Sequence, residues 1–127
     1  MSIQFNHTVV HSRDQRVSAR FLTEILGLEP PQRYAHFDTV ELSNGVTLDF
    51  MNAASAFEVQ HYAFLVGEPD FDAILERIRQ RSLVFWADPY RRKPNEINTQ
   101  DGGRGLYFDD PSGHILEIIT RPYGSGS

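Results

Sequence analysis

Two histidines and two carboxylates stand at matching places in this chain. His7 lies in Phe5-Asn6-His7-Thr8-Val9-Val10 and His61 in Gln60-His61-Tyr62-Ala63-Phe64-Leu65-Val66. Asp49 ends the run Asn44-Gly45-Val46-Thr47-Leu48-Asp49 before Phe50, and Glu117 ends Ser112-Gly113-His114-Ile115-Leu116-Glu117 before Ile118. Two imidazoles and two carboxylates in a protein without cysteine are the nitrogen and oxygen ligand set of a divalent metal ion, and Zn, Ni, Co, Mn and Fe(II) all suit it. An acid among Ile115, Leu116, Ile118 and Ile119 is costly to bury unless it is paired or metal-bound.

The positions repeat because the chain repeats. The two histidines are 54 residues apart and the two acids 68, so the second copy carries an excess of 14 residues. The charged, Gly- and Pro-bearing run from Tyr90 to Arg104 has no counterpart in the first copy and is where the excess sits. A polar segment longer than an ordinary connection is expected to act as a lid or substrate-specificity loop.

Each copy reads as strand, helix, then short strands. In copy one a strand over residues 3–10 precedes a helix capped by Asp14, whose Val17, Phe21, Leu22 and Ile25 share a face until Gly27 stops it. Strands follow at Gln32–Tyr34, His36–Leu42 and Val46–Met51. Copy two has a strand over 60–66, a helix opening at Pro69-Asp70 with Phe71, Ile74, Leu75 and Ile78 on one face, and strands at Leu83–Trp86, Gly105–Asp109 and His114–Thr120. The expected fold is α+β, two βαβββ modules whose curved mixed sheets surround a metal-containing cleft. Module one spans about 1–55 and module two about 56–123, with a tail at 124–127, all within one domain. Strand alternation puts His7, Asp49, His61 and Glu117 on the open face of each sheet, and Val10, Leu48, Phe50, Phe64, Leu116 and Ile118 on the face that packs a helix.

At 127 residues the chain buries roughly two thirds of its unfolded surface. A formal charge of −5 argues against nucleic-acid or anionic-membrane partners, leaving a small-molecule substrate. With no cysteine there is neither a disulfide framework nor a thiolate nucleophile. Strand-like sequence from Ile3 leaves no room for a signal peptide, no run approaches transmembrane length, and a cytoplasmic location is the default.

Paired βαβββ modules with these four residues resemble the vicinal oxygen chelate superfamily, which includes glyoxalase I, fosfomycin-resistance proteins, bleomycin-binding proteins and extradiol dioxygenases. The resemblance covers nearly the whole chain. It rests on the His7 strand, on Phe21-Leu22-Thr23-Glu24-Ile25-Leu26-Gly27-Leu28, and on Tyr107-Phe108-Asp109-Asp110-Pro111-Ser112-Gly113-His114-Ile115-Leu116-Glu117. It implies that His7, His61 and Glu117 bind the metal and that Asp49, as in glyoxalase I, is a fourth ligand. Where the family strand usually carries Glu, Asp49 is one methylene shorter, which suits action through a water or a partner ligand. Tyr107 stands ten residues before Glu117, the spacing of a tyrosine that assists extradiol chemistry. The acid-base histidine of those enzymes is replaced by Asn98-Thr99-Gln100. Family members of this size are usually homodimers.

The function expected from these residues is a metal-dependent, glyoxalase-like isomerase or lyase acting on a small substrate chelated through two adjacent oxygens. Glu117 and Tyr107 are the catalytic candidates. Trp86, Tyr90, Tyr34 and Phe37, aromatics near strand ends, and Arg104 are the substrate contacts. The alternatives are an extradiol-type ring-cleaving dioxygenase, which a set of two histidines and one carboxylate would suit, and a non-catalytic resistance protein that sequesters a small ligand. His11, His36 and His114 are expected at the surface.

Overall fold

The computed structural model describes residues 1–126. In chain order it contains β1 (His7–Ser12), α1 (Gln15–Leu26), β2 (Gln32–Tyr34), β3 (Phe37–Glu41), β4 (Thr47–Asn52), β5 (His61–Leu65), α2 (Glu68–Gln80), β6 (Gly105–Asp109) and β7 (Ile115–Ile119), with a 3-10 turn at Gln100–Gly102. The chain divides into two compact units, Met1–Glu58 and the segment from Val59 onward. Each holds one helix and one mixed sheet, an α+β arrangement. No helix among the described residues is long and apolar enough to cross a membrane.

In the first unit the strands lie in the order β1-β4-β3-β2, with β1 parallel to β4 and the other neighbours antiparallel. β1 begins at His7 rather than Ile3, and Ile3 and Phe5 are exposed. Asp14 caps α1 by accepting from the N–H groups of Arg16 and Val17 at 3.0 and 3.2 Å. Gly27 ends it at φ 74°, a conformation glycine adopts freely, and the next residue's N–H donates to Thr23. Leu22 and Ile25 are buried as expected, but Val17 is 51% exposed. The buried arc runs through Gln15, Ser18, Ala19, Leu22 and Ile25, and at 100° per residue Val17 falls outside it. Gln15 takes the inner position because its amide has partners there: Nε2 donates to His36 O and Asp38 Oδ2, and Oε1 accepts from Asn52 N–H. Apolar periodicity cannot register a buried glutamine whose desolvation is offset by hydrogen bonds.

In the second unit the order is β5-β7-β6, with β5 parallel and β6 antiparallel to β7. α2 carries Pro69 in its first turn and buries Phe71, Ile74, Leu75 and Ile78. Leu83–Trp86 does not form the expected strand. Trp86 makes only isolated bridges, to Tyr107 on one side and Pro94 on the other. The insertion doubles back here, with Ala87 N–H donating to Lys93 O and Asn95 N–H to Phe85 O, so a loop rather than a strand flanks this segment. In the expected tail, Gly124 N–H donates to Asp101 Oδ2, while Ser127 lies outside the described residues.

The duplication is visible atom by atom in two turns. Leu42 N–H donates to Val46 O and Gly45 N–H to Leu42 O; Asp110 N–H donates to His114 O and Gly113 N–H to Asp110 O. Gly45 and Gly113 occupy φ of 85° and 93°, the left-handed region where a Cβ is strained. These turns launch β4 and β7, the strands that carry the two acids.

Candidate metal-binding site

Register fixes what each sheet presents. In the second unit His61 is opposite Ile115, Ala63 is opposite Glu117, and Tyr107 is opposite Glu117 from the other side. Trp86 is opposite Tyr107 in turn. Cross-strand partners project to the same face, so Trp86, Tyr107, Glu117 and Ala63 form a row, with His61 one diagonal step away. His61 Nε2 lies 2.9 Å from Glu117 Oε1, and the rings of His61 and Tyr107 are 5.8 Å apart. The imidazole side chain is 47% exposed and the carboxylate 12%, so the pair is anchored at the acid and open at the base.

Tyr107 belongs to the same cluster. Burial pushes its phenol well above the ordinary tyrosine value, and the charge of Glu117 and a hydrogen bond with it push the same way. The phenol therefore stays protonated at neutral pH and is available as a donor, not as a base.

In the first unit the same register recurs. His7 is opposite Thr47, two residues before Asp49, as His61 is opposite Ile115, two before Glu117. Asp49 is 8% exposed, with Val9 and Thr39 as its cross-strand partners. Among the described residues His7 and Asp49 are not hydrogen-bonded to each other; His7 Nδ1 lies 2.6 Å from Asn6 Oδ1. An amide oxygen only accepts, so Nδ1 is the donor in this contact, and Nε2 makes no hydrogen bond among the described residues.

In the second unit a carboxylate and an imidazole nitrogen face each other, donors that a divalent ion takes. Among the described residues no three His, Asp or Glu side chains cluster closely enough to hold one ion, so the structure itself presents a two-residue donor pair.

The remaining expected residues separate by place. Trp86 is half-buried on the Glu117 row with the Arg91 guanidinium 5.2 Å above its ring. Phe37 shares the face of Thr39 and Asp49, and Tyr34, 72% exposed, is its cross-strand partner. Tyr90 is 74% exposed beneath Arg92. Arg104 is committed elsewhere, donating to Glu68 and Asp72 of α2 at 2.8 Å each with its guanidinium over Phe71. The first of these bonds holds the Glu68 carboxyl below its usual range.

His11 and His36 are exposed, but His114, expected at the surface, is 1% exposed. Its Nδ1 accepts from Gln60 N–H at 2.9 Å and its own N–H donates to Asp110 Oδ1 at 2.8 Å. The signal was in the repeat: His114 matches buried Val46 and shares parity with Leu116 and Ile118 of the core face. Sequence reasoning also passed over Asp88. Burial works against its ionisation, but N–H groups of Lys93, Arg92 and Tyr90 donate to it and hold its carboxyl below the usual value. Arg91 pairs with both oxygens of Asp109 at 2.7 and 2.8 Å, tying the insertion to the end of β6.

Two solved structures share this fold closely. The protein named oxidase ChaP-H2 is 58% identical with a TM-score of 0.96 over 100% of both chains. The protein named oxidase ChaP-H1 is 55% identical with a TM-score of 0.95, covering 97% of this chain and 99% of that one. A protein named glutathione transferase FosA, from Serratia marcescens, is 31% identical over 121 residues, covering 89% of this chain and 77% of the relative. Residues 4–118, which contain all four ligand candidates, match the family described as the glyoxalase/bleomycin resistance protein/dioxygenase superfamily, and the chain belongs to it.

Proposed function

We propose that this chain is a metal-dependent oxidising enzyme in which His7, His61 and Glu117 hold one divalent ion and a small substrate is captured through two adjacent oxygens. The observation that carries the reading is the His61–Glu117 pair, set open-faced beside Tyr107, in a chain 55–58% identical to two proteins named oxidases. The order of the two leading readings is thereby reversed, with oxygen chemistry ahead of glyoxalase-like proton transfer. When bound, the ion supplies Lewis acidity and, as iron(II), access to oxygen chemistry. The residues do the rest. Tyr107, held protonated, donates to Glu117 or to a substrate oxygen, and the Trp86 ring walls the same row. Extradiol enzymes carry a base in the stretch that is Asn98-Thr99-Gln100 here; Asn98 spends its amide on Ala87 O and Gln100 N–H, and no imidazole stands there to deprotonate a diol.

The second reading, a glyoxalase-like isomerase or lyase, is favoured by Asp49, the register counterpart of Glu117 and a second carboxylate able to move a proton. A homodimer belongs to either reading and is checked by sedimentation. The deciding experiment loads untagged protein anaerobically with Fe(II) and follows oxygen with a panel of ortho-diols and hydroxyketones, in parallel with methylglyoxal hemithioacetals on the Ni, Co and Zn forms. Uptake that vanishes in Glu117→Ala supports the oxidase. Turnover of the hemithioacetal without oxygen uptake overturns it in favour of the second reading.

A further inference from the structure

The two helices of the repeat treat their charges in opposite ways. α2 has Glu68 and Asp70 in its first turn and Arg77 and Arg79 in its last, the arrangement that complements a helix dipole. α1 has no acid in its first turn and no base in its last; it carries Arg16 at the start and Glu24 near the end. Arg16 therefore opposes the dipole of its own helix.

Arg16 and Arg20, one turn apart on α1, line a groove of about 600 Å³ whose other side is Arg33 of β2. Leu28, Pro30 and Pro31 give it an apolar wall. The volume is within the range of small-molecule sites. Of the two acids at its margin, Asp38 is already held by Gln15 Nε2 at 2.6 Å and by Arg33 at 3.4 Å, and Glu24 also has a partner. The Arg16 and Arg20 guanidiniums make none of the ion pairs among the described residues. The groove lies beside α1, while His7 and Asp49 are on β1 and β4, so it is distinct from the ligand candidates of its unit.

We propose that this groove is a binding site for a small oxyanion, a phosphate or carboxylate group received by Arg16 and Arg20 with Arg33 as the third cation, its apolar body resting on Leu28 and the two prolines. Guanidinium groups suit both anions because their fork of N–H donors matches two oxygens at once. The site is independent of the metal reading and stands or falls without it.

The test uses the full chain labelled with nitrogen-15, titrated at constant ionic strength with inorganic pyrophosphate, with succinate and with chloride. Saturable amide shifts confined to residues 15–39, with pyrophosphate or succinate but not chloride, are expected, and the stronger of the two identifies the anion. Arg16→Gln/Arg20→Gln should weaken that binding at least about tenfold. The same variant should melt no lower than the parent, because it removes a charge that opposes the helix dipole, so lost binding is separable from lost folding. No saturable shift at millimolar anion, or equal binding by the variant, overturns the site.

Discussion

His61 and Glu117 meet because two parallel strands are in the register that sets an imidazole one diagonal step from a carboxylate. The contact makes the metal proposal specific. His7→Ala and Glu117→Ala should each lower divalent-metal affinity at least about tenfold, and Asp49→Ala should lower it less, measured by competition with a chelator. Because Nε2 of His61 faces Glu117 Oε1 across 2.9 Å, an ion held by the two residues must replace that contact. Tyr107 adds a dependence on alkaline pH. Its folded value lies above the ordinary 10.0, so its stabilising contribution is full below pH 10 and is lost as the pH rises toward the folded value. Tyr107→Phe should therefore lose less stability than the parent between neutral and strongly alkaline pH, followed by urea unfolding. The His61–Glu117 contact was legible because residue type and repeat position coincide. The burial of His114 and the commitment of Arg104 to α2 were not, since both depend on partners far away in sequence. Parity within β7, set beside Val46 in the other copy, would have caught the first.

The strands and helices were legible wherever one residue alone decides the backbone, as Asp14 and Gly27 do at the ends of α1. They were less legible where pairing decides. Leu83–Trp86 has the composition of a strand, yet its outer neighbour is a loop held by Asp88 and by Arg91, and only single bridges form. The insertion is thus a folded feature of its unit, with two kinds of attachment. Near its end, a Cβ on Gly105 would come within 2.9 Å of Asn98 Oδ1, whose amide is fixed by Ala87 O. Gly105→Ala should cost about 1–3 kcal/mol in urea unfolding. The Arg91–Asp109 pair is about half exposed and weaker; Arg91→Gln should cost less than about 1 kcal/mol while speeding tryptic cleavage after Arg92 and altering the substrate KM. An unchanged KM with faster cleavage would make the insertion a structural strap rather than part of substrate recognition.

The chain as a whole carries the same unit twice and has let the copies diverge. One copy keeps a histidine and a glutamate in contact beside a protonated tyrosine. The other keeps a histidine and a shorter acid that are not hydrogen-bonded to each other, together with an arginine-lined groove on its helix. Membership in the superfamily and likeness to proteins named oxidases support the proposal of oxygen chemistry with His7, His61 and Glu117 as ligands of one ion. Its most direct test is the metal content of untagged protein loaded anaerobically with Fe(II), desalted and compared with His61→Ala treated identically. The account predicts about one ion per parent chain and less than about a tenth of that in the variant, both retaining the parent fold. Equal occupancy in His61→Ala would contradict it.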